Sequence, residues 1–238
     1  MRTELFALRT VAAHRRALAL AIAFSGFLTI SFLGVRDLAS TVPVDAESAL
    51  SSGAVTGFVA VVYAAATAGG EMARGGVALA LLAGGDRGQA IRDRLAAHAV
   101  AGAWLGAAGA LTAVVLTFGL LSAGGGPLPG ATAVIERAAG TIAYGALMGV
   151  IGASLGLAFR SPAPAVITAL VVMLALDPLF AGILDFVAQW GPGGAAGSLT
   201  GSGADDLPPP WAGGLALVAY AALLGASATA LTARRDVP

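Results

Sequence analysis

This 238-residue chain contains no cysteine, lysine or asparagine, and only two histidines. Without cysteine there are no disulfides and no thiol chemistry. Without lysine there is no phosphate-binding loop of the Gly-Lys-Ser/Thr kind, whose lysine reaches the phosphates, so the chain is not expected to hydrolyse ATP by itself. The histidines, His14 and His98, are far apart in sequence and have no carboxylate cluster around them. A metal site of ordinary ligands is therefore not expected, and no cofactor is. Charge is scarce too. Asp, Glu and Arg make up 11% of the residues against 58% hydrophobic, where a soluble domain carries roughly 25% charged residues.

What is present is apolar sequence. Mean hydropathy is +0.87, and six runs stand out at 17–34, 53–69, 95–122, 138–159, 163–187 and 211–232. A helix needs about 20 apolar residues to cross a hydrocarbon core about 30 Å thick. Unsatisfied backbone groups cannot be left in lipid, so such runs become helices. The expected fold is an all-α membrane protein of six spans, with little mass outside the bilayer. The first run has a long basic leader, Met1 to Arg16, no small-residue cleavage site after Gly34, and five further spans behind it. It reads as a retained span and not as a removed signal.

Every basic residue is an arginine, and the arginines are lopsided. Arg2, Arg9, Arg15 and Arg16 precede span one; Arg74, Arg87, Arg92 and Arg94 lie between spans two and three; Arg160 lies between four and five; Arg234 and Arg235 follow span six. The other side has only Arg36 and Arg137, with most of the acids, including Asp37, Asp45, Glu47, Glu136, Asp185, Asp205 and Asp206. Arginine-rich loops stay in the cytoplasm, so both termini are expected inside. The all-arginine usage suggests a GC-rich bacterial genome, and hence a bacterial plasma membrane.

Residues 1–16 read as a helix on the inner membrane surface, because Leu5, Leu8 and Ala12 recur at helical spacing while Arg2, Arg9 and Arg16 recur every seven residues on another side. Residues 17–238 form one transmembrane domain. Its longest cytoplasmic segment, 70–94, reads as two short helices with a break at Gly84-Gly85, the second running into span three. At Arg160-Ser161-Pro162 the turn is tight, with Ser161 as N-cap and proline at the first helical position. The fifth run is expected to break at Asp177-Pro178, Asp177 capping a new short helix over 178–190 that dips into the outer leaflet. The external loop, 188–210, is flanked by Trp190 and Trp211, residues that favour the interface. It is Gly-, Ser- and Pro-rich over 191–210 and is expected to be irregular.

Four glycine pairs, 53/57, 102/106, 145/149 and 152/156, have the spacing that lets helices approach closely. They read as general tight packing and not as a dimer interface. Gly152-Ala153-Ser154-Leu155-Gly156 matches the G-x-S-x-G pattern of hydrolase nucleophiles. An intramembrane serine protease also needs a histidine base on a later span, and no histidine follows His98. Ser154 therefore reads as a small packing residue. Glu71 and Asp177 are the carboxylates nearest the membrane, each near a span end. Intramembrane acids usually carry function, but no run has an acid at its centre, as a proton relay would want.

Glu4-Leu5 with Arg9-Thr10 before span one, the stretch from Glu71 through Arg74-Gly75 to Arg87 and Arg94, Gly156 with Arg160 ending span four, and Arg234-Arg235-Asp236 after span six carry a family likeness. In their order and sidedness they resemble the membrane-spanning permease subunit of type 2 ATP-binding-cassette (ABC) exporters. That family's first cytoplasmic loop has Glu, then Gly-Thr, a Leu-rich turn, Pro-x-x-Arg and a basic residue entering span three. Here Gly76 replaces the threonine, Gly85 stands near the proline's place and Arg94 takes the lysine's. The resemblance implies a connecting helix bearing Glu4 and Arg9, and a coupling loop that meets the ATPase through Glu71, Arg74, Asp86 and Arg87. It implies two copies of a separate ABC ATPase, a second permease copy or paralogue, and outward movement of a hydrophobic or amphipathic substrate through the lipid bilayer. Nucleic acid is not an expected partner. A non-transport role on the same scaffold, as a membrane-anchored assembly or immunity partner, is the alternative left open by the residues.

Overall fold

The computed structural model describes residues 12–35, 38–75, 87–201 and 206–234. Among these residues every regular element is helical. Helix α1 (Ala12–Gly34) is followed by α2 (Pro43–Leu50), a 3-10 segment (Ser51–Val55) and α3 (Thr56–Ala73). Then come α4 (Arg87–Gly124), α5 (Ala131–Phe159) and α6 (Pro162–Val171), which passes through a π segment (Val172–Leu176) into α7 (Asp177–Ala181). The short helices α8 (Asp185–Trp190) and α9 (Pro192–Thr200) precede α10 (Pro210–Arg234). Six helical stretches are long and apolar enough to cross a membrane: Ala12–Gly34, Pro43–Ala73, Gly88–Gly124, Ala131–Phe159, Pro162–Ala181 and Pro210–Thr232.

The centre of the bundle is α3, α4 and α5, and it is built on backbone contact. A Cβ added at Gly102 would collide with the Gly145 carbonyl, one at Gly149 with the His98 carbonyl, one at Gly152 with the Val61 carbonyl and one at Gly156 with the backbone of Ala65 and Gly69. Gly53 also lies against Gly109, less tightly, an added Cβ there meeting the Gly109 carbonyl at 3.0 Å. The glycine pairs read from the sequence thus lie on seams within this chain, where small residues let dispersion contacts form along whole helix faces. Ala60, Ala64, Ala97, Ala101, Leu105 and Met148 fill the remaining space.

Several expectations are corrected. Residues 12–16 are not part of a separate surface helix, since they form the first turn of α1 and run unbroken into span one; residues 1–11 lie outside the described ones. Span two starts ten residues before the expected 53, at Pro43, because α2 and the 3-10 segment continue into α3 with Asp45 and Glu47 in the first turns. Asp177 does not cap a new helix. Its backbone is itself helical, at φ −61° and ψ −51°, and its N–H bonds Val172 O. The π segment adds one residue to the turn ahead of Pro178. That is how a helix absorbs a proline ring and its missing N–H without stopping. The helix ends instead at Gly182.

Residues 191–210 are not all irregular either. Pro192 takes the N1 position, Gly201 closes the C-terminus at φ +65°, and α9 forms between them. Ala195, Ser198 and Thr200 of α9 are buried, and a Cβ at Gly213 of α10 would strike the Ala195 carbonyl. Ser161 is the N-cap residue of α6, but its side chain makes no capping bond. The turn is closed by Arg160, which adopts the left-handed conformation at φ +54° and donates its N–H to Gly156 O at 3.0 Å.

Candidate functional site

The bundle's two ends carry different chemistry. At the arginine-rich end, α3 and α4 face each other with polar residues one helical turn apart on each: Thr67 and Glu71 on α3, Arg94 and His98 on α4. Arg94 is 6% exposed, and its Nε lies 3.5 Å from Glu71 Oε2. That is an ion pair without hydrogen-bond geometry at Nε. The same guanidinium reaches Met72 Sδ at 4.0 Å.

His98 is 2% exposed. Its Nδ1–H donates to Arg94 O at 2.9 Å, since a carbonyl only accepts. Its Nε2 lies 3.0 Å from Thr67 Oγ1, which is also 2.7 Å from Tyr63 O. The single hydroxyl hydrogen serves one acceptor at a time. If it goes to Tyr63 O, only the doubly protonated ring completes the bond to Thr67. His14 of α1 meets the edge of the Tyr63 ring at 5.5 Å between centroids, tying span one to the same cluster.

Of the residues expected to couple to a partner, Glu71 lies in the last turn of α3, half-buried against Arg94. Arg74 is the exposed C-cap residue of that helix. Arg87 opens α4, though its side chain is outside the described residues. Asp86 is outside them, as are Glu4 and Arg9. The structure brings Glu71 to Arg94 and Thr67 to His98, a pairing across α3 and α4 that sequence reasoning missed. The i, i+4 spacing puts each helix's two residues on one face but does not say which helix that face meets.

At the opposite end, Asp177 Oδ2 accepts the Gly193 N–H at 2.9 Å, so the expected cap serves α9 and not its own helix. Pro178 follows within α7. Asp177 lines a crevice of about 300 Å³ with Ser51, Ser52, Tyr144, Met173 and Thr200. A larger cleft of about 860 Å³ lies beside it between Glu136, Arg137, Pro208, Pro209 and Trp211. Arg137 Nη1 and Ser51 Oγ both donate to Thr200 O, at 3.3 Å and 3.1 Å. They satisfy a helix-end carbonyl that would otherwise be orphaned. Ser198 Oγ lies 2.6 Å from Pro208 O, pinning α9 to the proline run.

Ser154 is buried, and its hydroxyl donates to Val150 O of its own helix at 2.8 Å. Among the described residues no group of three metal-ligating side chains converges. No family model matches the chain, and neither the curated proteins nor the solved structures yield a relative.

Proposed function

We propose that this chain is the membrane-spanning permease subunit of an ABC exporter, moving a hydrophobic or amphipathic compound outward with energy from a separate ATPase. In this reading both termini face the cytoplasm of a bacterial cell, the arginine-rich end meets two ATPase copies, and a second permease copy or paralogue completes the transporter.

The observation that carries the reading is the clamp between Glu71 and Arg94 at the root of the 70–94 loop. Helix α4 has 38 residues, about 57 Å at 1.5 Å per residue, against a hydrocarbon core of about 30 Å. It is a rod that begins at Arg87 outside the lipid and continues through the bundle. Force applied to its outer end reaches α3 through the ion pair and α5 through the glycine seam. Packed elements of this kind shift between discrete arrangements rather than bend. With no lysine for a phosphate loop, the driving nucleotide belongs to another polypeptide.

The test is co-purification with an ABC ATPase encoded beside this chain, followed by its turnover in lipid. Arg74→Glu together with Arg87→Glu reverses charge on the loop while sparing the Glu71–Arg94 pair. At least a tenfold loss of bound ATPase, with an unchanged melting temperature, is expected. Unchanged partner binding and unchanged coupled turnover would reject the docking residues. A terminus labelled from outside intact cells would reject the orientation, and with it the whole reading.

A further inference from the structure

We infer that the Asp177 crevice and the apolar groove adjoining it form one binding site for a cationic amphiphile: a protonated amine on an aliphatic body. The crevice, about 300 Å³, lies between α3, α5, span five and α9. Its one carboxylate is half satisfied. Asp177 Oδ2 takes the Gly193 N–H at 2.9 Å, while Oδ1 is buried and has no partner. No residue lining the crevice is basic. Ionisable residues in lipid-crossing spans usually carry function; Asp177 lies in the last turns of span five, and no countercharge stands on the crevice walls. A carboxylate with an unmet acceptor calls for an N–H donor, and the aromatic side chains of Tyr144 and Phe58 line the same crevice, where aromatic rings favour a cation. Tyr144 is 3% exposed, and its ring is pressed onto the Gly57 backbone, so that wall is fixed in place.

The apolar half is next door. Val55 and Phe58 line the crevice and also a groove of about 600 Å³ whose other walls include Leu20, Phe24, Val62 and Leu174. Apart from Arg16 at its far end, the groove is lined by carbon-rich side chains. Together the two volumes fall within the range of small-molecule sites, about 300–1,000 Å³, and have their usual make-up of apolar walls with few polar anchors. The geometry fits a head at Asp177 and a chain along spans one, two and five. Arg16 at the far end disfavours a second positive charge there.

Naming this compound as the cargo rests on the exporter reading; the site itself does not. The test is therefore a binding measurement with no ATPase present. The full chain is placed in nanodiscs of phosphatidylcholine, and tritiated dodecylamine is titrated by scintillation proximity, with empty discs subtracted. Saturable binding is expected, displaced by unlabelled dodecylamine and at least tenfold less well by dodecanol or dodecyl sulfate. Asp177→Asn keeps an acceptor for Gly193 and removes the charge, and should weaken binding at least tenfold. Val55→Trp, which plugs the junction and leaves the carboxylate, should weaken it comparably. Equal binding to Asp177→Asn, or equal displacement by dodecanol, overturns the proposal. If Asp177→Asn fails to fold, the wild-type preference for amine over alcohol and the Val55→Trp result still decide. Failure here leaves an exporter of some other compound; loss of the ATPase partner leaves the amine site standing.

Discussion

Spans two, three and four and spans one, five and six are built on opposite plans. In the first group between 39% and 61% of the most apolar window is buried within the chain; in the second the share is 11% to 28%. The inner group meets through glycine and alanine, backbone against backbone. The outer group turns Phe24, Phe27, Ile167, Leu174, Leu215 and Leu223 outward. Lipid is as apolar as leucine, so large side chains gain little by turning inward, and tight association falls to small residues. Hydropathy therefore finds all six spans equally but cannot rank them. The small-residue seams do so, and they separate a rigid centre from a periphery free to face lipid or another subunit.

The contrast breaks most sharply at one glycine. Gly102→Leu puts a side chain where the Gly145 carbonyl sits, and backbone cannot step aside as a flexible side chain can. A loss of about 3 kcal/mol or more is expected, the upper end of overpacking costs. It would appear as a collapse of the monodisperse peak on size exclusion or a steep fall in melting temperature. The matched control is Gly119→Ala in the same helix, where an added Cβ meets nothing within 4 Å. It should be neutral or stabilising by up to about 1 kcal/mol, because alanine has the higher helix propensity. If both behave alike, the seam does not bear the fold.

The arginine-rich clamp comes next. Arg94→Met removes a buried cation and leaves Glu71 facing an apolar neighbour. Breaking a buried pair from one side costs about 3–5 kcal/mol; the partial exposure of Glu71 lowers the expectation to about 2 kcal/mol. Adding Glu71→Leu should recover most of it, because no charge is then stranded. A double variant no more stable than Arg94→Met alone would show that the pair contributes packing rather than charge.

Much of this was legible in the sequence, and the failures share a cause. The six spans were readable from the length of the apolar runs, and the glycine seams from spacing. Asp177-Pro178 misled because proline normally stops a helix; five residues earlier the chain opens into a π turn, and no local signature marks that. The helix α9 was hidden in Gly-Pro-Gly-Gly-Ala-Ala-Gly-Ser, a composition whose propensity is poor. It is carried by tertiary contact with α10 and by the two donors on Thr200 O. Proline at its start and glycine at its end were the available cues. The Thr67–His98 contact was out of reach because it depends on the register between two helices, which one-dimensional spacing does not fix.

The link between span five and α9 should give a smaller effect. Asp177→Ala deletes the acceptor for the Gly193 N–H, a bond to a charged group at a half-exposed site, for which about 1 kcal/mol is expected. Because α9 is a short peripheral element, the change should read out locally. Faster deuterium uptake is expected over α8 and α9, with the exchange of α3 to α5 unchanged. Uniformly faster exchange would mean that the outer elements and the centre unfold together, contrary to the division drawn above.

The smallest effect is expected at Ser154, inside the best-packed seam. Its hydroxyl bonds the carbonyl one turn back on its own helix, a bond that slightly competes with the helix and supports no neighbour. Its Cβ stays in Ser154→Ala, so the close approach of α5 to its neighbours is preserved. A change within about 0.5 kcal/mol is expected, because the substitution opens no large cavity and strands no charge. The pair of experiments at Ser154 and Gly152 then isolates what the seam needs. Gly152→Ala pushes a Cβ into the Val61 carbonyl and should be far more damaging than loss of a buried hydroxyl two residues away. If Ser154→Ala instead abolished function in a folded protein, the hydroxyl would have a chemical role that its bond to Val150 O does not reveal. The G-x-S-x-G pattern would then have to be read as more than small-residue packing.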